Sequence, residues 1–229
     1  MLILKSKLIF LENPKCGSST LRHYFKQIPD SDRIFKSMEK INECSGIHDP
    51  NYIHCTLKAA IIKLRELALD PDEFTFICAI REPYTRVKSA LNYHRVLVNR
   101  RMQTDEFIKT RIVTTIAKDY RFFEKYKIHH LIKCETINSD LAELNIQYKL
   151  GLTINLSTKI NSKGFAKPIQ LANEHIAMIN HAYHEDFIDG DYKKIIPDDL
   201  PRKVKSRISN VNIFRWMATP LDKKQDKGT

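Results

Sequence analysis

The stretch from Lys7 to Phe25, KLIFLENPKCGSSTLRHYF, constrains the fold of this chain more than any other. Leu8, Ile9, Phe10 and Leu11 form a short continuous apolar run, as a strand buried on both faces of a parallel sheet requires. The run empties into Asn13-Pro14-Lys15-Cys16-Gly17-Ser18-Ser19-Thr20, and a helical pattern begins at Leu21. The expected order is strand, tight loop, helix. One lysine, one glycine and three consecutive hydroxyl residues then stand at a helix N-terminus, where unpaired backbone N–H groups and the helix dipole favour an anion. The loop is not a Walker A loop, which places lysine after its second glycine, whereas Lys15 precedes Gly17. The competing reading is a Ser-capped helix after a strand, with a surface lysine.

Downstream, strand and helix alternate, the signature of a parallel sheet with helices on its faces. The first helix is expected over residues 19–27, stopping at Pro29, and residues 30–50 read as a long loop. Residues 52–55 are strand-like. Thr56 is a good N-cap for an amphipathic helix with Leu57, Ala60, Ile61, Leu64, Leu67 and Ala68 on one face. Residues 74–80 form the clearest strand, followed by a helix over 84–99 with Pro83 at its first turn. A helix over 105–125, a strand over 130–134 and a helix over 137–150 ending at Gly151 follow. Residues 154–167 read as a loop and 171–187 as a helix; residues 193–229, with Trp216, read as an irregular extension of a single domain spanning 1–229.

Hydrophobic content of 42% and charged content of 28% exclude global disorder. A net charge of +11 implies an anionic partner without saying which: nucleic acid, membrane surface, acidic polysaccharide or nucleotide. No apolar stretch reaches the ~18–20 residues of a membrane span, and Met1 stands too close to the first strand for a signal peptide, so the expectation is a cytoplasmic protein. Cys16, Cys44, Cys55, Cys78 and Cys134 show no C-x-x-C pair and no zinc-like spacing, and read mostly as buried thiols. A disulfide between Cys44 and Cys55 stays open.

A second constellation, ICAIREPYTRVKSALNY, places Arg81 at a strand end and Ser89 two turns into the next helix, with Arg86 between. Ligands of doubly wound sheets sit outside the C-terminal strand ends, so Arg81 and the loop around Lys15 are expected to face one crevice. A guanidinium with a helix hydroxyl beside it suits a phosphate monoester. Taken singly, Arg86 reads equally as a surface charge and Ser89 as a small residue letting two helices approach.

Together the two segments resemble the PAPS-dependent sulfotransferase superfamily, PAPS being 3′-phosphoadenosine 5′-phosphosulfate. Pro14, Lys15, Gly17, Ser18 and Ser19 match the 5′-phosphosulfate loop, Pro-Lys-x-Gly-Thr/Ser-Thr/Ser. Arg-x-Pro-x-x-Arg-x-x-Ser-Ala, from Arg81 to Ala90, looks like the 3′-phosphate motif, especially that of Golgi-type carbohydrate enzymes and their bacterial relatives. A weaker likeness runs through Leu131 to Glu135 and Ala182 to Tyr192, covering about two thirds of the chain in all. Ser18-Ser19 stands where many members have Thr-Thr, and Glu82 where Asn or Asp is common.

The resemblance implies an α/β, three-layer P-loop-like fold with a central, mostly parallel sheet flanked by helices. It implies sulfuryl transfer from PAPS to a hydroxyl, without metal, releasing 3′-phosphoadenosine 5′-phosphate (PAP). The implied acceptor is a glycan, with a small molecule or lipid as the alternative. Lys15 would stabilise the leaving phosphate. Cys16, Gly17, Ser18, Ser19 and Thr20 would grip the 5′-phosphate, Arg81 and Ser89 the 3′-phosphate, and Lys163-Gly164 would close over the nucleotide. His54 is the implied general base, with His48 and Glu12 as alternatives, while His94 reads as packing or acceptor contact. Outside this class stand a P-loop kinase-like enzyme, disfavoured by the missing G-K-[ST], and a basic nucleic-acid-binding protein, for which no motif is present.

Overall fold

The computed structural model describes residues 2–4, 7–28, 32–33, 56–97, 103–110, 122–155 and 169–197. In chain order, β1 (Leu2–Leu4) and β2 (Leu8–Leu11) precede α1 (Ser18–Phe25) and β3 (Asp32–Arg33). Then come α2 (Leu57–Glu66), β4 (Thr75–Ile80), α3 (Pro83–Leu97) and α4 (Thr104–Thr110). A hairpin of β5 (Phe122–Phe123) and β6 (Tyr126–Lys127), then β7 (His130–Lys133), α5 (Ile137–Tyr148), α6 (Asn173–Ala182) and α7 (His184–Asp189) complete the described chain.

The result is an α/β arrangement on a five-stranded sheet of order β3-β1-β2-β4-β7. Three adjacent parallel strands, β2, β4 and β7, make up one side of it, in the register Leu11↔Cys78 and Ile80↔Lys133. Alternate residues of β4 feed two cores. Phe76, Cys78 and Ile80 join Ile9 and Leu11 against Leu57, Ala60, Ile61 and Leu64 of α2. Ile77 and Ala79 join Leu8 and Phe10 against Leu21, Tyr24 and Phe25 of α1 and Leu141 and Leu144 of α5. Burial on both faces explains why β2, and β4 after Thr75, are unbroken apolar runs, each fully buried large aliphatic side chain contributing roughly 1.5–3 kcal/mol relative to exposure. A third core, built by Tyr84, Val87, Leu91, Phe107, Ile179 and Phe187, joins α3, α4, α6 and α7.

Local signals set several boundaries. The Thr56 hydroxyl accepts from the Ala59 N–H at 3.2 Å, capping α2. Glu82 caps α3, its two carboxylate oxygens accepting from the N–H groups of Tyr84 and Thr85 at 3.0 and 2.8 Å. Lys149 in the left-handed region (φ 51) ends α5 two residues before Gly151 (φ 69).

The structure corrects the sequence reading in five places. The strand before β2 was not expected; Leu2–Leu4 folds back antiparallel on β2 at Leu2↔Phe10, and β3 pairs with β1 inside the stretch read as loop. Leu67 and Ala68 lie past the end of α2, with Ala68 at φ 55 and Leu67 exposed. The end of the helix expected over 105–125 is a hairpin: Glu124 at φ 55 turns the chain, and Phe123 and Tyr126 drop onto the α2 side of the sheet. Aromatic residues at helical spacing thus serve equally well in strands. The helix expected over 171–187 breaks at Tyr183 into α6 and α7. Residues 52–55, 156–168 and 198–229 lie outside the described residues.

Candidate functional site

Because β2, β4 and β7 are parallel and adjacent, the segments leaving them, 12–17, 81–82 and 134–136, meet at one edge of the sheet. The loop after β2 is held from inside. Asn13 Nδ2 donates to the Ala79 carbonyl at 3.0 Å, and the Ser18 hydroxyl donates to the Asn13 carbonyl at 2.9 Å. One of the three expected hydroxyls is therefore spent on closing the loop, while Ser19 and Thr20 remain half-buried. Two left-handed residues in three positions, Lys15 (φ 63) and Gly17 (φ 81), curl the backbone. A Cβ on Gly17 would lie 3.2 Å from both Cys134 Sγ and Ile137 Cδ1, so glycine is favoured here by its φ and by the close approach of the segment after β7. Gly17 is also the N-cap of α1 and offers no capping side chain, which leaves the helix N-terminus to other acceptors.

Arg86 supports the loop from beneath. It is 1% exposed. Its Nε donates to the Pro14 carbonyl at 3.2 Å, Nη2 to Asn13 Oδ1 at 2.7 Å, and Nη1 to Asp186 Oδ2 at 3.0 Å, while Tyr183 lies over its guanidinium. The surface-charge reading of Arg86 is thereby corrected: this is a buried, paired guanidinium joining the loop, α3 and α7. A signal was present in the sequence, since Arg86 shares its helix face with Ala90 and His94, both buried. Asn13 and Asp186 carried no such signal.

Arg81 meets the same loop from above. Its Nη1 donates to the Lys15 carbonyl at 3.3 Å and its Nε to the Thr85 hydroxyl at 3.2 Å. Ser89, half-buried, follows Thr85 by one turn on α3, and Tyr93 follows Ser89 by another. The Lys15 ammonium sits 4.1 Å from the centroid of the Tyr93 ring. Burial, and after it the like charge of Arg81, lowers the Lys15 pKa from its ordinary 10.5 to about 8. A desolvated ammonium that feels a neighbouring guanidinium is stabilised by an anion.

Cys16 lies fully buried in the loop, its thiol pushed up to about 12 chiefly by burial and donating to the Pro14 carbonyl at 3.4 Å. It is a packing residue, and only its backbone can serve a ligand. From the third strand end, Glu135 accepts from the Glu82 N–H at 3.0 Å and from the Tyr192 hydroxyl at 2.9 Å, tying the 81–82 segment to the chain after α7. Burial, and then the Glu135 carboxylate, raises the Tyr192 pKa.

Of the base candidates, Glu12 is buried and ion-paired, with Oε2 3.1 Å from Arg22 Nε. His94 is buried against Phe107, ring centroids 5.8 Å apart, and serves packing. His54, His48, Lys163, Gly164, Cys44 and Cys55 lie outside the described residues.

A cavity of about 390 Å³ lies elsewhere, between β7 and α5, lined by His129, His130, Lys133, Asp140 and Glu143. Its carboxylates make it a poor anion site, and Asp140 is already bonded to the Lys133 N–H at 2.7 Å. Among the described residues no helix is long and apolar enough to cross a membrane, and no cluster of three or more His, Cys, Asp or Glu stands ready for a metal. Set against known proteins, the chain matches no family model, no curated protein and no solved structure, so the chemistry of the site rests on its own residues.

Proposed function

We propose that the protein is a PAPS-dependent sulfotransferase of P-loop-like architecture that transfers a sulfuryl group to a hydroxyl of a carbohydrate acceptor and releases PAP. The observation that carries this reading is the contact between Arg81 and Lys15: the guanidinium from one strand end donates to the carbonyl of the lysine in the neighbouring loop. An anion-binding loop and a second cationic strand end on one edge suit a ligand with phosphates at both its 5′ and 3′ positions. The motif likeness of both segments points the same way.

In this reading the α1 N-terminus, with Ser19 and Thr20, holds the 5′-phosphate, and Arg81 with Ser89 holds the 3′-phosphate. The acceptor oxygen attacks sulfur, the bond from sulfur to the bridging phosphate oxygen breaks, and that oxygen keeps the electron pair. Lys15 stabilises the charge that appears there. The acceptor's proton passes to His54. The carbohydrate class rests on the likeness of the Arg81 motif to carbohydrate enzymes and on the net charge of +11.

Transfer of label from radiolabelled PAPS to a panel of glycans tests the reading. Label should appear in a glycan product with the wild type and fall at least about a hundredfold with His54→Ala, the usual scale of a general base. Full turnover by His54→Ala would remove that residue from the mechanism, and label reaching only small phenols or lipids would overturn the carbohydrate assignment.

A further inference from the structure

The face of α3 that starts beside Arg81 runs Thr85, Ser89, Tyr93 at four-residue spacing, so these side chains stack along one line of the helix. Its lower end is fixed by the bond from Arg81 to Thr85. Its upper end is the Tyr93 ring, 43% exposed, with the Lys15 ammonium 4.1 Å from its centroid. Among the described residues this is the shortest contact between a lysine and an aromatic ring, the others lying at 5.4 to 5.6 Å.

A lysine is a flexible four-carbon stem with a strongly hydrated head, and nothing in its covalent geometry fixes where the charge sits. In the loop, Lys15 is half-buried and has lost part of its water. The negative face of a ring replaces some of that hydration and gives the charge one direction. We propose that Tyr93 is a positioning residue for Lys15: its ring face holds the ammonium in one place, ready for the anion that the loop takes up. The inference rests on the sulfotransferase reading only in naming that anion.

Among the described residues, the charged and titratable groups around Lys15 are Arg81 from the end of β4, Cys16 in its own loop, Tyr93 from α3, and the Arg86–Asp186 pair beneath the loop. Arg81 is held by its bonds to the Lys15 carbonyl and the Thr85 hydroxyl, burial pushes the Cys16 thiol up to about 12, and Arg86 and Asp186 neutralise one another. The ring is therefore the group whose removal should move Lys15 without moving the rest. Loss of the ring favours the neutral amine, so the midpoint at which Lys15 sheds its proton falls further below its ordinary value.

The test is the pH dependence of Lys15 acetylation by trace labelled acetic anhydride, read by mass spectrometry on the whole chain after digestion, in wild type, Tyr93→Phe and Tyr93→Leu. Tyr93 is partly exposed, so neither variant opens a core cavity. Wild type should show a midpoint near pH 8 and Tyr93→Phe the same, whereas Tyr93→Leu should raise the acid dissociation constant about two- to fivefold. PAP affinity, titrated against pH by calorimetry, should show the acid dissociation constant that governs its decline raised by the same factor in Tyr93→Leu alone. An unchanged Lys15 midpoint in Tyr93→Leu, or an equal shift in Tyr93→Phe, overturns the inference. Absence of PAP binding by the wild type overturns the sulfotransferase reading instead, and the acetylation midpoints then decide the role of Tyr93 by themselves.

Discussion

Arg86 and Arg65 each hold a carboxylate at a short distance, and the two pairs do different things. Arg65, on α2, meets Glu124 of the β5–β6 turn through two bonds of 3.2 and 2.7 Å, with both side chains nearly half exposed. Arg86 meets Asp186 at 3.0 Å with both side chains buried, and spends its other nitrogens on Asn13 and Pro14. Better geometry at the surface gains little, because water competes for both partners and salt screens them. Inside, neither partner can return to water, so the pair fixes the path of the loop that carries Lys15. Lys125 beside Asp72 and Lys7 beside Glu73 repeat the surface pattern.

The sharpest way to break this contrast is Arg86→Met, which strands the Asp186 carboxylate in the interior. Urea unfolding should show a loss of about 3–5 kcal/mol, and adding Asp186→Leu should recover much of it, since the orphaned charge is then gone. A loss no larger than that of Arg65→Met would erase the distinction. Next in size is Gly17→Ala. Its left-handed backbone and the 3.2 Å approach of Cys134 and Ile137 should cost about 1–3 kcal/mol in the same assay, with PAP binding reduced further than stability alone explains.

The third effect is in pH. Lys15 is charged below about pH 8 and neutral above it, so affinity for an anionic nucleotide should be full below about 8 and decline above it. The same lowering has the opposite sign in folding: between about pH 8 and 10.5 the unfolded chain holds the proton that the folded one has lost, so this group's contribution to stability rises with pH across that window. A calorimetric pH series on binding and an unfolding series check the two signs. The smallest effect should come from Arg65→Met or Glu124→Gln, whose unfolding midpoints should match the wild type within measurement, even at low salt.

The frame of the site was legible in the sequence because it rests on local rules. An apolar run emptying into Lys15 and Gly17, and another delivering Arg81, sufficed to place two cationic segments at one edge once the strands were taken as parallel. Thr56 as a cap and Pro83 at a first turn followed from the chemistry of helix ends. What stayed hidden depends on contacts remote in sequence. The partners of Arg86 are 72, 73 and 100 residues away, and Asp186 alone on a helix face gives no sign of which charge it meets. Leu2–Leu4 and the hairpin at 122–127 were missed because strands of two or three residues carry too few positions to show a period.

The proposed function requires one edge of the sheet to read two phosphates of a single nucleotide, and PAP and 5′-AMP differ by the 3′-phosphate alone. Calorimetric titration of both into wild type and Arg81→Ala tests it directly. PAP should bind the wild type at least about tenfold more tightly than 5′-AMP, and Arg81→Ala should remove that preference while leaving 5′-AMP binding nearly unchanged. A preference for ATP over PAP in the wild type, or a PAP preference that survives Arg81→Ala, would contradict it.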